Sequence, residues 1–227
     1  LRTHIMIEKK PGPQIKNKSY QDSCKAWLVI CSASLFFLYT FINMTCFNGI
    51  NSQLIKAFNV SAVDISQLSA MYFYANILFL IPAGILLDKF SIRKLILIIM
   101  PISIASTYIF AHTNNYTIAC IVRFIMGVAS TFCLLSCAKL TAQWLSPKFG
   151  GRAMSIVITI ALFGGVLAQQ LPILIPVITH ENANWVDLLN CVAILGVLFY
   201  ILIFLFVKDF PKTNNKKDAH KTNTPNN

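Results

Sequence analysis

Charge is the scarcest commodity in this sequence. Only 12% of the 227 residues are Asp, Glu, Lys or Arg, where a soluble globular chain carries roughly 25%. An ordinary soluble domain is thereby excluded. Acid is scarcer still, with eight Asp and Glu against nineteen Lys and Arg. The seven cysteines contain no C-x-x-C pair and the four histidines are scattered, so no metal centre is expected. Hydrolase signatures are missing as well: there is no G-x-S-x-G, no H-E-x-x-H and no carboxylate pair inside an apolar segment. The sequence therefore assigns no catalytic residue, no enzyme activity and no cofactor. A formal charge of +11 invites a nucleic-acid partner. The basic residues, however, flank apolar runs and do not form a stripe interleaved with aromatics, which is the pattern of membrane topology signals. Nucleic acid is not an expected partner.

What is abundant is apolar residues, 56% of the chain, gathered in long blocks. About 20 apolar residues cross the hydrocarbon core as a helix. Six segments approach or reach that length: 27–47, 65–87, 95–111, 116–138, 153–178 and 188–207. The third is short and can borrow Ile92 from its flank. Arg123 is the single charge within the six. The first run lacks a small-residue cleavage site and reads as an uncleaved signal anchor. The fold class expected is all-α, a polytopic six-helix membrane domain over 27–207. A basic cytoplasmic segment, 1–26, precedes it. The polar tail 208–227 cannot bury a core and is expected to be disordered. The chain begins at Leu1 rather than Met, which fits either a start at Met6 or a fragment.

Orientation follows from the connections. If the amino terminus is inside, segments 1–26, 88–94, 139–152 and 208–227 hold seventeen of the nineteen Lys and Arg, and the opposite side holds only Lys56. That asymmetry puts both termini in the cytoplasm. The sequons Asn59-Val-Ser61 and Asn115-Tyr-Thr117 then fall in or near the outer loops and matter only in a eukaryotic host.

The densest local signal is Gly84-Ile-Leu-Leu-Asp88-Lys89-Phe90-Ser91-Ile92-Arg93-Lys94. A carboxylate ends one helix and a basic cluster fills a very short loop. Gly84 would let a neighbouring helix approach closely, and Asp88 could meet a helix amino terminus or pair with basic residues. The plainer reading is a positive-inside hairpin with one incidental acid. This loop resembles the G-x-x-x-D-R/K-x-G-x-R-R/K signature of the major facilitator superfamily, with Gly84, Asp88, Lys89, Arg93 and Lys94 on the pattern and Ser91 in place of the second glycine. Arg123-Phe-Ile-Met-Gly127 is similar to the family's R-x-x-x-G. Tyr72-Phe-Tyr74-Ala75, the stretch from Lys139 to Pro147 and the stretch from Gly164 to Pro172 resemble one branch, which includes lysosomal dipeptide and bacterial phagosomal amino-acid transporters. The resemblance implies one six-helix half built of two three-helix repeats. Such a half needs a second half, or a homodimer partner, and moves a small solute across the bilayer by alternating access. The 84–94 loop would be its gate latch. The rival expectation is a non-transporting membrane scaffold or the inactive remnant of a transporter.

Candidate solute contacts are polar groups at membrane depth. Arg123 lies about 10 Å inside its helix at 1.5 Å per residue, with no acid in the six segments. It either meets a substrate anion or a partner half, or snorkels to the headgroups. Tyr39 and Asn43 are four apart and share a helix face, as do Tyr72 and Asn76. The resemblance puts the first and fourth helices on the cavity, which favours Tyr39 and Asn43. Gln169 shares a face with Ala161 and Gly165, a spacing that suits close helix packing and an interhelical hydrogen bond as well as substrate contact. Lys139 lies about 160° around the helix from Arg123, so the two cannot face one cavity; its position suits headgroup anchoring. Pro172 and Pro176 are expected to kink or end the fifth helix.

The topology is directly testable. Reporter fusions after Lys94 and after Glu181 are expected to report opposite compartments, the first cytoplasmic. Equal activity at both positions would refute the six-span arrangement.

Overall fold

The computed structural model describes residues 23–179 and 184–207. The expectations for most of the basic amino-terminal segment and for the 208–227 tail lie outside the described residues. Among the described residues seven helices form: α1 (Ser23–Gly49), α2 (Asn51–Phe58), α3 (Ala62–Lys89), α4 (Ile92–His112), α5 (Tyr116–Trp144), α6 (Pro147–Thr179) and α7 (Trp185–Phe206). All but α2 are long and apolar enough to cross a membrane. The shortest of those six has 21 residues, or about 31 Å of helix, against a hydrocarbon core of about 30 Å.

The expected spans are therefore present, each longer than its apolar stretch. Ile92 does begin α4, as its flanking position suggests. Two features depart from expectation. The 48–64 connection contains α2, an amphipathic helix that buries Leu54 and ends at Asn59 in the left-handed conformation with φ 53°. Ser61 and Asp64 then form a reciprocal capping box that starts α3. Pro172 does not end the fifth span, since α6 runs on to Thr179. A membrane helix tolerates proline where neighbours and local adjustments satisfy the freed carbonyl. The Pro172 ring lies where α1 comes close, 3.3 Å from the position a Cβ on Gly49 would take.

The packing pairs repeat. Helix α1 packs on α6 and α7, and α5 packs on α3 and α4, while α1 touches α5 and α4 touches α7. Exchanging α1, α3 and α4 for α5, α6 and α7 maps this set onto itself, the relation expected of two three-helix repeats. Helix α1 is the most enclosed, with 67% of its apolar window buried, and α3 the least, with 22%. The exposed side of α3 carries Phe73, Tyr74, Ile77, Leu78 and Ile81.

Lipid tails are as apolar as leucine, so helices in a membrane associate through close packing and interhelical hydrogen bonds. Both devices run along two seams. On α6 the buried small residues Ala153, Ala161, Gly164 and Ala168 face α1. A Cβ on Gly164 would sit 2.9 Å from the Leu38 carbonyl, and the Cys46 thiol lies 3.7 Å from the Ala168 carbonyl. On the other seam Gly127 of α5 lies against the Tyr72 carbonyl of α3, and a Cβ there would overlap that carbonyl and approach the Ala75 methyl. The expectation for Gly84 is corrected here. Among the described residues nothing lies within 4 Å of the Cβ position at Gly84, so none of these seven helices uses it for close approach; the same residue type does that work at Gly127.

The two glycines give a paired test. Gly127→Ala is expected to lower the thermal stability of the purified protein in detergent by the equivalent of about 1–3 kcal/mol, the usual range for overpacking. Gly84→Ala is expected to leave it unchanged. Equal unfolding temperatures for the two variants would contradict the α3–α5 contact.

Candidate functional site

Arg123 projects from α5 into the bundle and is only 3% exposed. Its guanidinium carbon stands 3.8 Å from the ring centre of Phe47 on α1 and 5.1 Å from that of Tyr72 on α3. Nη1 lies 3.7 Å from the Met126 sulfur. Nε finds no hydrogen-bond partner among the described residues. The arginine therefore does not snorkel; its cation is held between two π faces, each worth up to about 2 kcal/mol when desolvated. The R-x-x-x-G spacing explains the geometry. Gly127 lets α3 and α5 touch backbone to side chain, and one turn earlier that contact delivers Tyr72 to Arg123.

Phe47 also belongs to an aromatic cluster that closes this end of the bundle. Its ring centre is 5.5 Å from that of Phe110, which lies 6.3 Å from Phe58 of α2 and 6.3 Å from Trp185 of α7. Edge-to-face contacts at these distances add specific attraction beyond burial. The cluster explains why the short helix α2 packs down onto the membrane domain.

Tyr39 and Asn43 do share a face, yet that face is turned toward α4 and not toward Arg123. The Tyr39 hydroxyl lies 3.1 Å from the Thr107 hydroxyl, Thr107 donates to Asn43 Oδ1 at 2.9 Å, and Asn43 Nδ2 donates to the Tyr39 carbonyl at 3.2 Å. The result is a closed loop of hydrogen bonds with Tyr39 fully buried. Gly196 of α7 presses on the Tyr39 ring, 2.6 Å from where its Cβ would be. Asn76 likewise joins two helices. Its Nδ2 donates to Ser130 Oγ at 2.8 Å, and the Thr131 hydroxyl lies 3.1 Å from its Oδ1. Gln169 stands apart and is exposed, although Ala161 and Gly165 are buried. The α6 seam advances by threes and fours through 157, 161, 164 and 168, and four-residue steps from 161 drift off it by 169.

At the other end, the residues of the 84–94 loop part company. Asp88 pairs with Lys139 of α5 at 2.8 Å, and the same ammonium donates to the Leu87 carbonyl. A carboxylate at a helix carboxy terminus opposes the helix dipole, so a cation that serves both Asp88 and the last carbonyls resolves the conflict. Lys139 is thus part of the loop's chemistry and not a free headgroup anchor. Arg93 turns instead to α7, donating to the Phe204 carbonyl at 3.3 Å with its guanidinium 6.0 Å from the Phe204 ring. Lys89 and Lys94 are exposed.

Sequence reasoning missed three partners: Phe47, Thr107 and Lys139. Phe47 was within reach, because it continues the four-residue series of Tyr39 and Asn43 along α1. Thr107 and Lys139 carry no such signal; each matters through the helix beside it.

The comparisons with known proteins agree with this architecture. The Major Facilitator Superfamily profile matches residues 33–226. The choline/ethanolamine transporter flvcr2b of Danio rerio is 27% identical over 190 residues, covering 81% of this chain and 38% of that protein. Human choline/ethanolamine transporter FLVCR2 is 22% identical over 201 residues, covering 84% and 38%. The uncharacterized transporter YybO of Bacillus subtilis (strain 168) is 25% identical over 144 residues, covering 63% and 33%. The chain thus spans well under half the length of these relatives. Among solved structures, a bacterial homolog to the human lysosomal transporter Spinster, inward-facing and unoccupied, superposes with a TM-score of 0.69. It is 17% identical, and the match covers 88% of this chain and 47% of that one, a likeness of fold alone. With a family match over most of its length and six spanning helices in this order, the chain belongs to the major facilitator superfamily and forms one six-helix half of that fold.

Proposed function

We propose that this chain supplies one half of an alternating-access transporter for a small organic solute, completed by a second six-helix half or by a second copy of itself. The observation that carries the reading is the open flank of the bundle. Among the described residues nothing packs within 4 Å of the Cβ position at Gly84 on α3, and α6 exposes Gln169 beside Leu162 and Val166. An amide facing lipid is unfavourable, and a small residue with nothing against it does no packing work. Both are accounted for if a second bundle lies there with a solute path between. The seventeen basic residues of the two terminal segments and the inner connections support a cytoplasmic side for both termini and the 88–94 loop.

The substrate class we favour is a small amine-bearing solute. Amino acids and dipeptides follow from the family branch that the sequence resembles, and choline and ethanolamine from the names of the vertebrate relatives. Arg123 is the group proposed to meet the carboxylate of an amino acid or dipeptide, a contact that choline and ethanolamine, having no anionic group, would not make. In the described state its donors are underused and its charge is balanced only by π faces, so a carboxylate entering between Phe47 and Tyr72 would bind more strongly than the rings it displaces. Tyr39, Asn43 and Asn76 are proposed to hold helices together, and Gln169 to face the path. Asp88 and Lys139 form the latch. Asp88 is 79% exposed, and an exposed pair adds little to stability, which suits a contact that opens and closes.

Flux in liposomes tests the reading. The chain alone, as a monomer verified by cross-linking, is expected to show no saturable uptake of labelled choline, ethanolamine, amino acids or dipeptides. The cross-linked dimer, or the chain paired with a complementary half, is expected to show it. Uptake by the monomer would refute the need for a second half, and absence of uptake in every assembly would favour the inert remnant. In an active assembly Arg123→Lys should abolish uptake of carboxylate-bearing solutes, because lysine lacks the planar fork. Unchanged uptake by Arg123→Ala at equal expression would remove Arg123 from the site. For the latch, Lys139→Ala is expected to change the transport rate about tenfold, within the usual range of coupling effects, while the unfolding temperature stays the same.

A further inference from the structure

Arg123 is connected to the short helix α2 by a chain of rings. Its guanidinium meets Phe47, and Phe47 meets Phe110. Phe58, the last residue of α2, meets Phe110 at 6.3 Å and Trp185 at 6.1 Å. Phe47 and Phe110 are each 1% exposed. At this end of the bundle, α2 and the rings beneath it stand between water and the arginine.

Helix α2 holds its shape only while docked. It has eight residues and no side-chain cap at its first turn, and an isolated helix shorter than about 12–15 residues is marginal in water. Its docked face is small: Leu54 is fully buried and Phe58 half-buried, while Gln53 and Lys56 on the other face are exposed. Both joints are short. Ile50 alone separates α2 from α1, and on the other side Asn59 turns the chain in the left-handed conformation. The Ile50 joint is tied to Phe47. The Ile50 N–H donates to the Phe47 carbonyl at 3.3 Å, and the Ile50 carbonyl accepts from the N–H groups of Gln53 and Leu54, each at 3.0 Å. Phe47 therefore reaches the start of α2 through the backbone and its end through Phe110.

We propose that α2 is a lid over the outer end of the bundle, and that the hold of Arg123 on Phe47 keeps it shut. A desolvated cation fixes the Phe47 ring more firmly than an apolar neighbour would. Once Arg123 leaves, the ring is free to turn from Phe110, and Phe58 loses its seat. Leu54 alone does not keep eight residues helical, so α2 undocks and unwinds together. A carboxylate that draws Arg123 away would be the natural trigger. That last step rests on the solute reading above; the lid and its link to Arg123 do not.

Lys56 makes the lid measurable. In the orientation proposed above it is the one Lys or Arg of the outer connections. Trypsin added outside spheroplasts then cuts the chain only after Lys56, and only where α2 has unwound. A carboxy-terminal epitope tag reports the 57–227 fragment. The unaltered chain should be cut slowly. Phe58→Ala should speed cutting about tenfold, the weight of one aromatic contact, while Gln53→Ala should leave the rate unchanged. Arg123→Leu should speed it about fivefold and should add nothing in a Phe47→Leu background. Phe47→Leu alone should also speed cutting, and it tests the link even where Arg123→Leu fails to fold. Equal rates for Phe58→Ala and the unaltered chain would overturn the lid. Rates unchanged by both Arg123→Leu and Phe47→Leu would overturn the link to Arg123. Fragments cut within 88–94 or 139–152 would overturn the orientation, and the outer lid with it.

Discussion

The contact on which the rest depends is that between Gly127 of α5 and the backbone of α3 at Tyr72. It sets how near and in what register the two helices run. Every other α3–α5 bond then falls at nearly constant separation. The Tyr116 hydroxyl donates to the Asp64 carbonyl, 52 residues apart. Asn76 meets Ser130 at 54, and Asp88 meets Lys139 at 51. Constant separation is what parallel neighbouring helices produce. One glycine therefore places an aromatic face beside Arg123, an amide beside two hydroxyls and a carboxylate beside an ammonium. In hydrocarbon, where apolar burial gives no net attraction between helices, such a register is held by fit and hydrogen bonding.

Much of the fold was legible because the bilayer imposes length and charge asymmetry on any chain that crosses it. The spans and the lone charge within them, Arg123, could be read directly. Which helix faces which could not. Shared faces were recovered correctly for Tyr39 with Asn43 and for Tyr72 with Asn76, since four-residue spacing is a property of one helix. The neighbour across each face is a property of two. In a soluble helix the polar face marks the outside; here α3 and α6 are apolar all round, so no stripe distinguishes lipid from partner. Gly84 and Gly127 look alike in sequence and behave oppositely for that reason. Gln169 does not share the buried seam of Ala161 and Gly165, because a packing seam of mixed threes and fours drifts relative to strict fours.

The burial of Arg123 is a balance of comparable terms. An arginine at the bilayer centre costs at least about 2.5 kcal/mol. Two aromatic faces return up to about 2 kcal/mol each. An unpaired N–H costs about 1–3 kcal/mol. These nearly cancel, so the clamp is tolerated without being a strong bond. A group that offers the guanidinium two oxygens shifts the balance, and Phe47 and Tyr72 must then part or rotate. Phe47 is also tied to Phe110, so such a movement reaches the aromatic cluster that joins α2, α4 and α7.

The two ends of the half-bundle are consequently held by different physics. One is dry, closed by four aromatic rings whose contacts depend on shape and do not respond to salt. The other is wet, with Asp88 and Lys139 paired in partial solvent and Arg93 reaching across to the end of α7. Exposed pairs of this kind are screened and individually weak. They break at little cost, and water replaces each partner as it leaves. Separating the aromatic rings exposes apolar surface that only lipid or another ring can cover. Rearrangement within the half is therefore easier at the basic end. The aromatic end moves only if something first disturbs Phe47, and the charged group in contact with Phe47 is Arg123.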